Sequence, residues 1–233
     1  MKSGRVEDGL SFGKNQRVVS KRSRYWVLGN AVSRWSKPLL GNLRSGLATL
    51  RHLPDRLLHS RRRRATIDSI RRQGWPNNVL FVCLGNICRS PFAAAYFERR
   101  ISECERAGDV RIQSAGFIGP ERPSPTNAIA AAGESGIDLT GHRSRLVDDV
   151  CLNRVDLVLV MESRQRSAIE RRFGLDRCVH LGDLDPAPIT RRDILDPIEQ
   201  DIDVFRDVYD RIERCVDGLL RGAIRPSESD RTR

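Results

Sequence analysis

A strand, a cysteine-containing loop and a helix follow one another near the middle of this chain, and this succession constrains the fold more than any other feature. The apolar run VLFV, residues 79–82, is typical of a buried strand. The next nine residues, CLGNICRSP, place five residues between Cys83 and Arg89. The stretch FAAAYFERR, which begins at Phe92, has the composition of a helix. The sequence therefore predicts that Cys83 and Arg89 lie in a loop between the carboxyl end of a strand and the start of a helix.

This predicted loop is suited to binding a tetrahedral anion such as phosphate. Its backbone N–H groups face a single point, and the N-terminus of the following helix adds a partial positive charge. The planar guanidinium of Arg89 matches two oxygens of a phosphoryl group, and the same dipoles favour the thiolate form of Cys83. A buried strand cysteine beside a helix-capping loop is the alternative, and it explains neither the arginine nor the anion site. The residues expected to bind the phosphate are Leu84, Gly85, Asn86, Ile87, Cys88 and Ser90.

Residues 83–91 resemble the signature loop of the low-molecular-weight protein tyrosine phosphatases, a family that also contains arginine phosphatases and thiol-dependent arsenate reductases. The resemblance covers about residues 78–222. It implies that Cys83 attacks the phosphorus of protein phosphotyrosine, or of another aryl phosphate ester, and forms a phosphocysteine. It implies neither a metal nor an organic cofactor. A tyrosine kinase of an exopolysaccharide system is the protein substrate expected by family analogy.

From residue 78 onward, apolar runs alternate with helical patterns, which predicts an α/β domain with a parallel sheet. The family resemblance implies three layers, with a four-stranded sheet in the order 2-1-3-4 and helices on both faces. Residues 223–233 are expected to form a flexible polar tail. Strands are predicted at 79–83, 110–114, 157–161 and 178–181, and helices at 90–105, 125–135, 146–152, 163–173 and 199–220.

Cleavage of a phosphate ester by a thiolate also needs a proton donor for the leaving oxygen. The candidate is Asp196 in the sequence Leu195-Asp196-Pro197, because the family carries its general acid in a similar Asp-Pro unit before the last long helix. An isolated Asp-Pro pair is otherwise only a turn signal. The rival carboxylates in the same acidic region are Asp183, Asp185 and Asp193.

Four residues match positions that the family uses to support the loop. Asn86 tolerates a left-handed backbone, and Ser90 is expected to hydrogen-bond the thiolate of Cys83. Ser114 and His142 are expected to be the outer partners of that network. Cys88 is a candidate for a reversible disulfide with Cys83, or for a small side chain that packs behind the loop. The remaining cysteines, Cys104, Cys151, Cys178 and Cys215, show no metal-ligand spacing.

Three features bear on the substrate. The family's arginine phosphatases carry a threonine where this chain has Ile87, which favours a phosphate ester. Arsenate reductases of this family use a closely spaced downstream cysteine pair, whereas Cys151 and Cys178 are 27 positions apart. The tyrosine phosphatases commonly have an aromatic residue after Asp-Pro, where Ile198 stands here. They also have a residue after the second strand that helps to clamp the phenol ring of the substrate. At this place the present chain has Phe117 and Pro120.

Charge is divided unevenly along the chain. Residues 1–77, which we call the basic arm, carry 18 basic and 4 acidic side chains, a net charge of +14. Of the totals of 41 and 30, this leaves 23 and 26 for residues 78–233, a net charge of −3. Within the arm, residues 1–25 are predicted to be disordered. From Trp26 to Leu58, apolar residues lie near helical spacing, with Pro38 suited to a helix start and Pro54 expected to interrupt the helix. A short helix is predicted at 65–73, after four consecutive arginines.

The basic arm suggests an anionic partner. A membrane surface and an acidic protein both fit its charge, and nucleic acid is disfavoured because no aromatic-interleaved pattern is present. The alternative is a solvated tail, or a helix that packs on the domain. A phosphate-binding module with the arm as its working part is a further alternative, but Cys83, Arg89 and Asp196 together argue against it. The sequence shows neither a membrane-spanning run nor a secretory signal, so a cytoplasmic protein, peripheral at most to the inner membrane surface, is expected.

Overall fold

Four parallel strands form the centre of the structure, a computed structural model that describes residues 53–103, 110–149, 154–174 and 178–223. Their order, β2-β1-β3-β4, is the order 2-1-3-4 that the family resemblance implied. Val82, at the carboxyl end of β1, pairs with Ala115 of β2 and Val160 of β3, so the loop that follows leaves from the middle of the sheet. The strands are β1 (Asn78–Val82), β2 (Arg111–Ala115), β3 (Leu157–Val160) and β4 (Cys178–His180).

Five α-helices in the described part of the chain surround the sheet. Both faces of β1 are buried, which is typical of a parallel sheet covered on two sides. Phe81 packs with Phe92 and Phe97 of the next helix in one core cluster, whereas Leu80 and Val82 belong to a second cluster on the other face. The helices are α1 (Leu53–Gln73), α2 (Arg89–Ser102), α3 (Thr126–Glu134), α4 (Ser163–Phe173) and α5 (Ile202–Ala223). None of the helices in the described ranges is long and apolar enough to cross a membrane.

Two of the predicted helices differ from the structure. The predicted helix at 146–152 is only a 3-10 turn at Val147–Asp149, and residues 150–153 lie outside the described ranges. Leu146 instead forms a parallel bridge with Gly116, so the backbone is extended there. The last helix begins at Ile202 and not at Glu199, because Glu199 has a positive φ of 62° within a turn.

Helix α1 is a correction to the prediction for the basic arm. The sequence predicted a short helix at 65–73, but the helix begins at Leu53, with Pro54 in its first turn, where the missing N–H costs nothing. The predicted interruption of a preceding helix at Pro54 concerns residues outside the described ranges. The four consecutive arginines lie inside this helix. Ile67 and Ile70 are buried, and a Cβ at Gly222 of α5 would lie 2.6 Å from Ile67 Cδ1. Helix α1 therefore packs on the α/β domain. The predictions for residues 1–52, for residues 224–233, and for Cys104 and Cys151 lie outside the described residues.

Candidate active site

The loop between β1 and α2 surrounds the thiol of Cys83. This side chain is 2% exposed and its Sγ lies 3.0 Å from the hydroxyl oxygen of Ser90. The backbone N–H of Asn86 donates to the same sulfur at 3.2 Å. Helix α2 begins at Arg89, so its first turn faces the loop. A thiolate at this position would be stabilised by one hydroxyl, one amide and a helix N-terminus.

Asn86 holds the loop in shape through both its backbone and its side chain. Its φ of 51° lies in the left-handed region, where asparagine is one of the few residues other than glycine that are readily tolerated. Its Nδ2 donates to Ser90 Oγ and to Ser114 Oγ, both at 2.9 Å. Its Oδ1 accepts from the backbone N–H of Arg145 at 2.8 Å. The structure thus brings together Asn86, Ser90 and Ser114.

His142 lies on the outer side of the same network. Its Nε2 is 2.7 Å from the backbone carbonyl oxygen of Asn86, to which the Nε2–H tautomer donates. Burial lowers the pKa of His142, and the nearby cations Arg143 and Arg145 act in the same direction. The imidazole is therefore held in its neutral form more strongly than an exposed histidine would be.

Arg89 points its guanidinium at two carboxylates. The side chain is 1% exposed, and Nη1 donates to Glu162 Oε1 at 2.7 Å and to the carbonyl of Ile194 at 3.0 Å. Nη2 lies 2.5 Å from Asp196 Oδ2. Asp196 itself is partly exposed, on the loop before α5. The arrangement groups a nucleophile, a cation and a carboxyl group at the carboxyl end of the sheet.

The three rival carboxylates have other partners. Asp183 receives two hydrogen bonds from Arg192, at 2.9 and 2.6 Å. Asp185 lies 3.5 Å from both Arg211 and Arg214. Asp193 accepts from the hydroxyl of Ser163 at 2.8 Å and lies 2.9 Å from His180 Nε2. Burial acts to raise the pKa of Asp193, but the hydrogen bonds from His180 and Ser163 outweigh it and hold this pKa well below its usual range. Of these four aspartates, Asp196 is the one that pairs with Arg89.

Sequence reasoning missed several residues that contact the loop, among them Glu162 and Arg122. Glu162 binds Arg89 and lies two residues after Val160, the last residue of β3, so its place after a parallel strand was the available signal. Arg122 donates to the carbonyl of Gly85 at 2.9 Å and to the carbonyls of Ile118 and Gly119. It thereby ties the segment after β2 to residues 83–90, which we call the catalytic loop. No local pattern marks Arg122 in the sequence.

Cys88 lies in the loop as a buried free thiol, and Cys83 is free as well. Burial raises the pKa of Cys88 to about 12, and the neighbouring sulfur of Cys83 adds to this effect. Cys88 is therefore a neutral thiol at ordinary pH, and its disulfide with Cys83 stays a prediction. Tyr209 of α5 donates its hydroxyl to the carbonyl of Cys88 at 3.3 Å, which fixes the back of the loop.

Large apolar side chains are exposed on the loops that flank the site. They are Ile118 after β2 and Leu195 and Ile198 on either side of the Asp196-Pro197 pair. Phe117 is half-buried and packs on the core cluster that contains Val82, and Pro120 is exposed. The walls beside the catalytic loop are therefore mainly aliphatic. Within the described ranges, no group of three or more histidine, cysteine or acidic residues is arranged to hold a metal ion.

Comparison with known proteins gives consistent matches over this domain. Residues 78–228 match the family model described as low molecular weight phosphotyrosine protein phosphatase. A protein-arginine-phosphatase of Bacillus subtilis is 33% identical over 156 residues, which are 66% of this chain and 99% of that protein. The low molecular weight protein-tyrosine-phosphatase Etp of Escherichia coli is 31% identical over 143 residues, 60% of this chain and 89% of that protein. Among solved structures, the tyrosine phosphatase AmsI of Erwinia amylovora matches with a TM-score of 0.56 and 27% identity, over 64% of this chain and 95% of that one.

Proposed function

Since this chain belongs to the low molecular weight phosphotyrosine protein phosphatase family, we propose that it hydrolyses phosphotyrosine in proteins, or another aryl phosphate ester, through a phosphocysteine. The observation that carries this proposal is the grouping of Cys83, Arg89 and Asp196. The sulfur accepts a hydrogen bond from the amide of Asn86 at 3.2 Å, and Arg89 contacts Asp196 at 2.5 Å. A nucleophile, an anion-binding cation and a proton donor are the three groups that this chemistry requires.

In the first step, the thiolate of Cys83 attacks phosphorus in line with the bond to the phenol oxygen. The S–P bond forms as the P–O bond breaks. The loop N–H groups and Arg89 bind the three non-bridging oxygens, and the carboxyl group of Asp196 gives its proton to the departing phenolate. The products of this step are a phenol and phosphocysteine.

In the second step, the carboxylate of Asp196 accepts a proton from water, and the water oxygen attacks phosphorus. The S–P bond breaks, inorganic phosphate leaves, and Cys83 departs as a thiolate. Ser90 Oγ lies 3.0 Å from Sγ, so its hydroxyl stabilises the negative charge on the departing sulfur. Asp196 ends protonated and Cys83 ionised, which are the forms that the first step requires.

The test is phosphate release from a phosphotyrosine peptide in the presence of a chelator. The wild-type chain is expected to turn the peptide over, and Cys83→Ser is expected to bind it without turnover while remaining folded. Phosphoserine peptide and arsenate serve as comparison substrates. Retained hydrolysis by Cys83→Ser would overturn the mechanism, and arsenate reduction without phosphate release would overturn the reaction class.

Phosphoarginine is the second candidate substrate, and the similarity to a protein-arginine-phosphatase is the observation in its favour. Ile87 argues against it, because this half-buried side chain offers no hydroxyl at the position where arginine phosphatases carry threonine. We expect the wild-type chain to prefer phosphotyrosine over phosphoarginine peptide. Ile87→Thr is expected to shift this preference toward phosphoarginine, and a wild-type preference for phosphoarginine would reverse the assignment.

For the basic arm we propose peripheral binding to an anionic lipid surface. Helix α1 exposes three leucines at its start, of which Leu57 is the most exposed at 71%. Arg56, Arg61 and Arg64 are exposed beside them. Leucines next to arginines are the side chains that an interfacial helix inserts and pairs with lipid headgroups, and the arm's net charge of +14 adds long-range attraction. The remaining exposed leucines are Leu53 and Leu58.

Co-sedimentation with vesicles tests this proposal on the full chain. Binding to phosphatidylglycerol vesicles is expected to weaken with salt, and phosphatidylcholine vesicles are expected to bind little. The double variant Leu57→Ser with Leu58→Ser is expected to reduce binding without a change in charge. Equal binding by this variant, or equal binding to neutral vesicles, would contradict the proposal and leave an acidic protein as the partner.

A further inference from the structure

Helix α1 precedes the residues that match the family model, yet it bonds to the segment that leads to Asp196. We call residues 185–197 the acid loop. Asp55 Oδ2 of α1 accepts a hydrogen bond from the backbone N–H of Arg192 at 3.2 Å. His59 is buried, and its Nε2 lies 2.8 Å from the carbonyl oxygen of Asp185. Two turns of α1 therefore contact the acid loop at two points.

The contact at Arg192 is part of a closed ring of charges. Arg62 Nη2 donates to Asp55 Oδ1 at 3.2 Å, and its Nε lies 3.6 Å from Asp183 Oδ1. Arg192 completes the ring with a bidentate pair to Asp183, whose side chain is 3% exposed. Removal of one member of such a partly buried ring takes away one of the partners of its neighbours, which is costly where water is excluded. The ring therefore fixes Arg192 relative to α1.

The fixed point lies close to the acid along the chain. Asp196 is four residues after Arg192, at most about 14 Å of extended backbone. Between them, the N–H of Ile194 donates to the carbonyl of Met161 at 2.9 Å, and the carbonyl of Ile194 accepts from Arg89 at 3.0 Å. A shift of Arg192 would thus be transmitted through a short, hydrogen-bonded segment to the Asp196 carboxyl group.

We propose that helix α1 braces the acid loop, with Asp55 and Arg62 as positioning residues for the proton transfer from Asp196. The inference rests on the proposed phosphatase function. It gives the helix before the family domain a role in the reaction itself: α1 sets how well the leaving group is protonated. Binding of the substrate phosphoryl group, which uses the catalytic loop and Arg89, is expected to depend on it less, because Glu162 also holds Arg89.

The experiment compares full-length Asp55→Ala with wild type on aryl phosphates whose leaving groups range from an acidic dinitrophenol to phenol. An acidic phenol leaves without a proton, whereas phenol itself needs one. We expect kcat/KM for phenyl phosphate to fall about tenfold, a fraction of what general acid catalysis contributes. The kcat/KM for dinitrophenyl phosphate is expected to stay within about twofold of wild type, because its leaving group needs no acid.

Asp68→Ala is the matched control, since Asp68 lies on the same helix and pairs only loosely with Arg71 at 3.9 Å. It is expected to leave kcat/KM unchanged for both phenyl phosphate and dinitrophenyl phosphate. Asp55→Asn keeps the shape of the side chain and serves if Asp55→Ala fails to fold. Arg62→Gln is expected to reproduce the effect, and the double variant with Asp55→Ala is expected to add little to either single change.

An equal loss on both substrates, or no loss on either, would overturn the brace. These outcomes differ from failure of the proposed function, in which the wild-type chain itself would release no phosphate from any aryl phosphate. The leaving-group dependence is a readout that a merely structural role of Asp55 would not change, because a folding defect lowers the rate for all substrates together.

Discussion

Arg89 Nη2 and Asp196 Oδ2 lie 2.5 Å apart, so the arginine of the catalytic loop and the proposed acid form a direct ion pair. The arginine is 1% exposed and Asp196 is 26% exposed, so water screens their attraction less than that of a pair on the open surface. The same guanidinium is proposed to bind the phosphoryl oxygens. Arg89 therefore links the position of the acid to the position of the reacting phosphorus.

Asp196→Asn separates the proton that Asp196 gives to the leaving group from the effect of its carboxylate on phosphate binding by Arg89. The amide keeps the shape of the side chain but has no proton to give, so kcat/KM for phenyl phosphate is expected to fall between about one hundredfold and ten thousandfold. Inorganic phosphate is expected to inhibit the variant at least as well as wild type, because a negative charge beside Arg89 has been removed. Weaker inhibition by phosphate, or an equal loss on dinitrophenyl phosphate, would argue that Asp196 serves binding and not protonation.

Glu162 is expected to position Arg89. Glu162→Ala leaves the buried guanidinium without its 2.7 Å partner, and kcat/KM is expected to fall at least about tenfold, equivalent to about 1.4 kcal/mol. Glu162→Gln keeps a hydrogen-bond acceptor and is expected to retain more activity. Arg164→Ala is the control, because Arg164 also pairs with Glu162, through Oε2, but is 61% exposed. Its removal is expected to change kcat/KM by no more than about twofold. Full activity of Glu162→Ala would show that Ile194 and Asp196 suffice to orient Arg89.

The part of the site that is local in sequence was predicted from its pattern. Of the residues that contact it from a distance, Ser114, His142 and Asp196 were predicted by family resemblance, and the others were not predicted. Cys83, Asn86, Arg89 and Ser90 follow from one strand, loop and helix unit, whose elements are visible as separate patterns. The contact between Arg89 and Glu162 spans 73 positions, and that between Arg122 and Gly85 spans 37. No periodicity reports such pairings, because they depend on which strands become neighbours.

Helix α1 was also predicted only in part, because contacts with distant residues stabilise it. Its run of four arginines, residues 61–64, has no apolar periodicity, so the sequence predicted a short helix only after it. In the structure, Arg62 pairs with Asp55 and Asp183, and Arg63 lies 3.4 Å from the carbonyl of Leu184. The helix continues because these charges have partners on the domain, which is tertiary information. Asp196 was chosen over its three rivals by family resemblance, since spacing alone did not distinguish them.

Asn86 allows backbone strain and side-chain hydrogen bonding to be measured separately. Asn86→Gly removes the bonds to Ser90, Ser114 and Arg145 but accepts the φ of 51°, whereas Asn86→Ala also introduces a strained left-handed alanine. Urea unfolding is expected to show both variants less stable than wild type, with alanine worse than glycine by roughly 1 kcal/mol. Both variants are expected to lower kcat/KM.

Glu121 provides a control for the backbone contribution. It has a positive φ of 60° and is exposed, outside the catalytic loop. Glu121→Gly is expected to relieve strain and to leave kcat/KM unchanged. Equal stability of Asn86→Gly and Asn86→Ala would show that the loop relaxes to another conformation when the asparagine is removed.

His142 is expected to make stability depend on pH. Burial lowers its pKa in the folded chain, so below the unfolded value of about 6.5 the unfolded chain binds more protons than the folded chain does. The stability that neutral His142 contributes is therefore complete above about pH 6.5 and declines as the pH falls toward the folded pKa.

The unfolding free energies of wild type and His142→Gln are compared by urea denaturation at about pH 7.5 and about pH 5. The advantage of wild type over the variant is expected to shrink at the lower pH, by at most about 1.4 kcal/mol per pH unit. The other histidines are common to both proteins, so their titration cancels in the comparison. An advantage that is constant or larger at pH 5 would mean that the hydrogen bond to the carbonyl of Asn86 stabilises the imidazolium more than burial disfavours it.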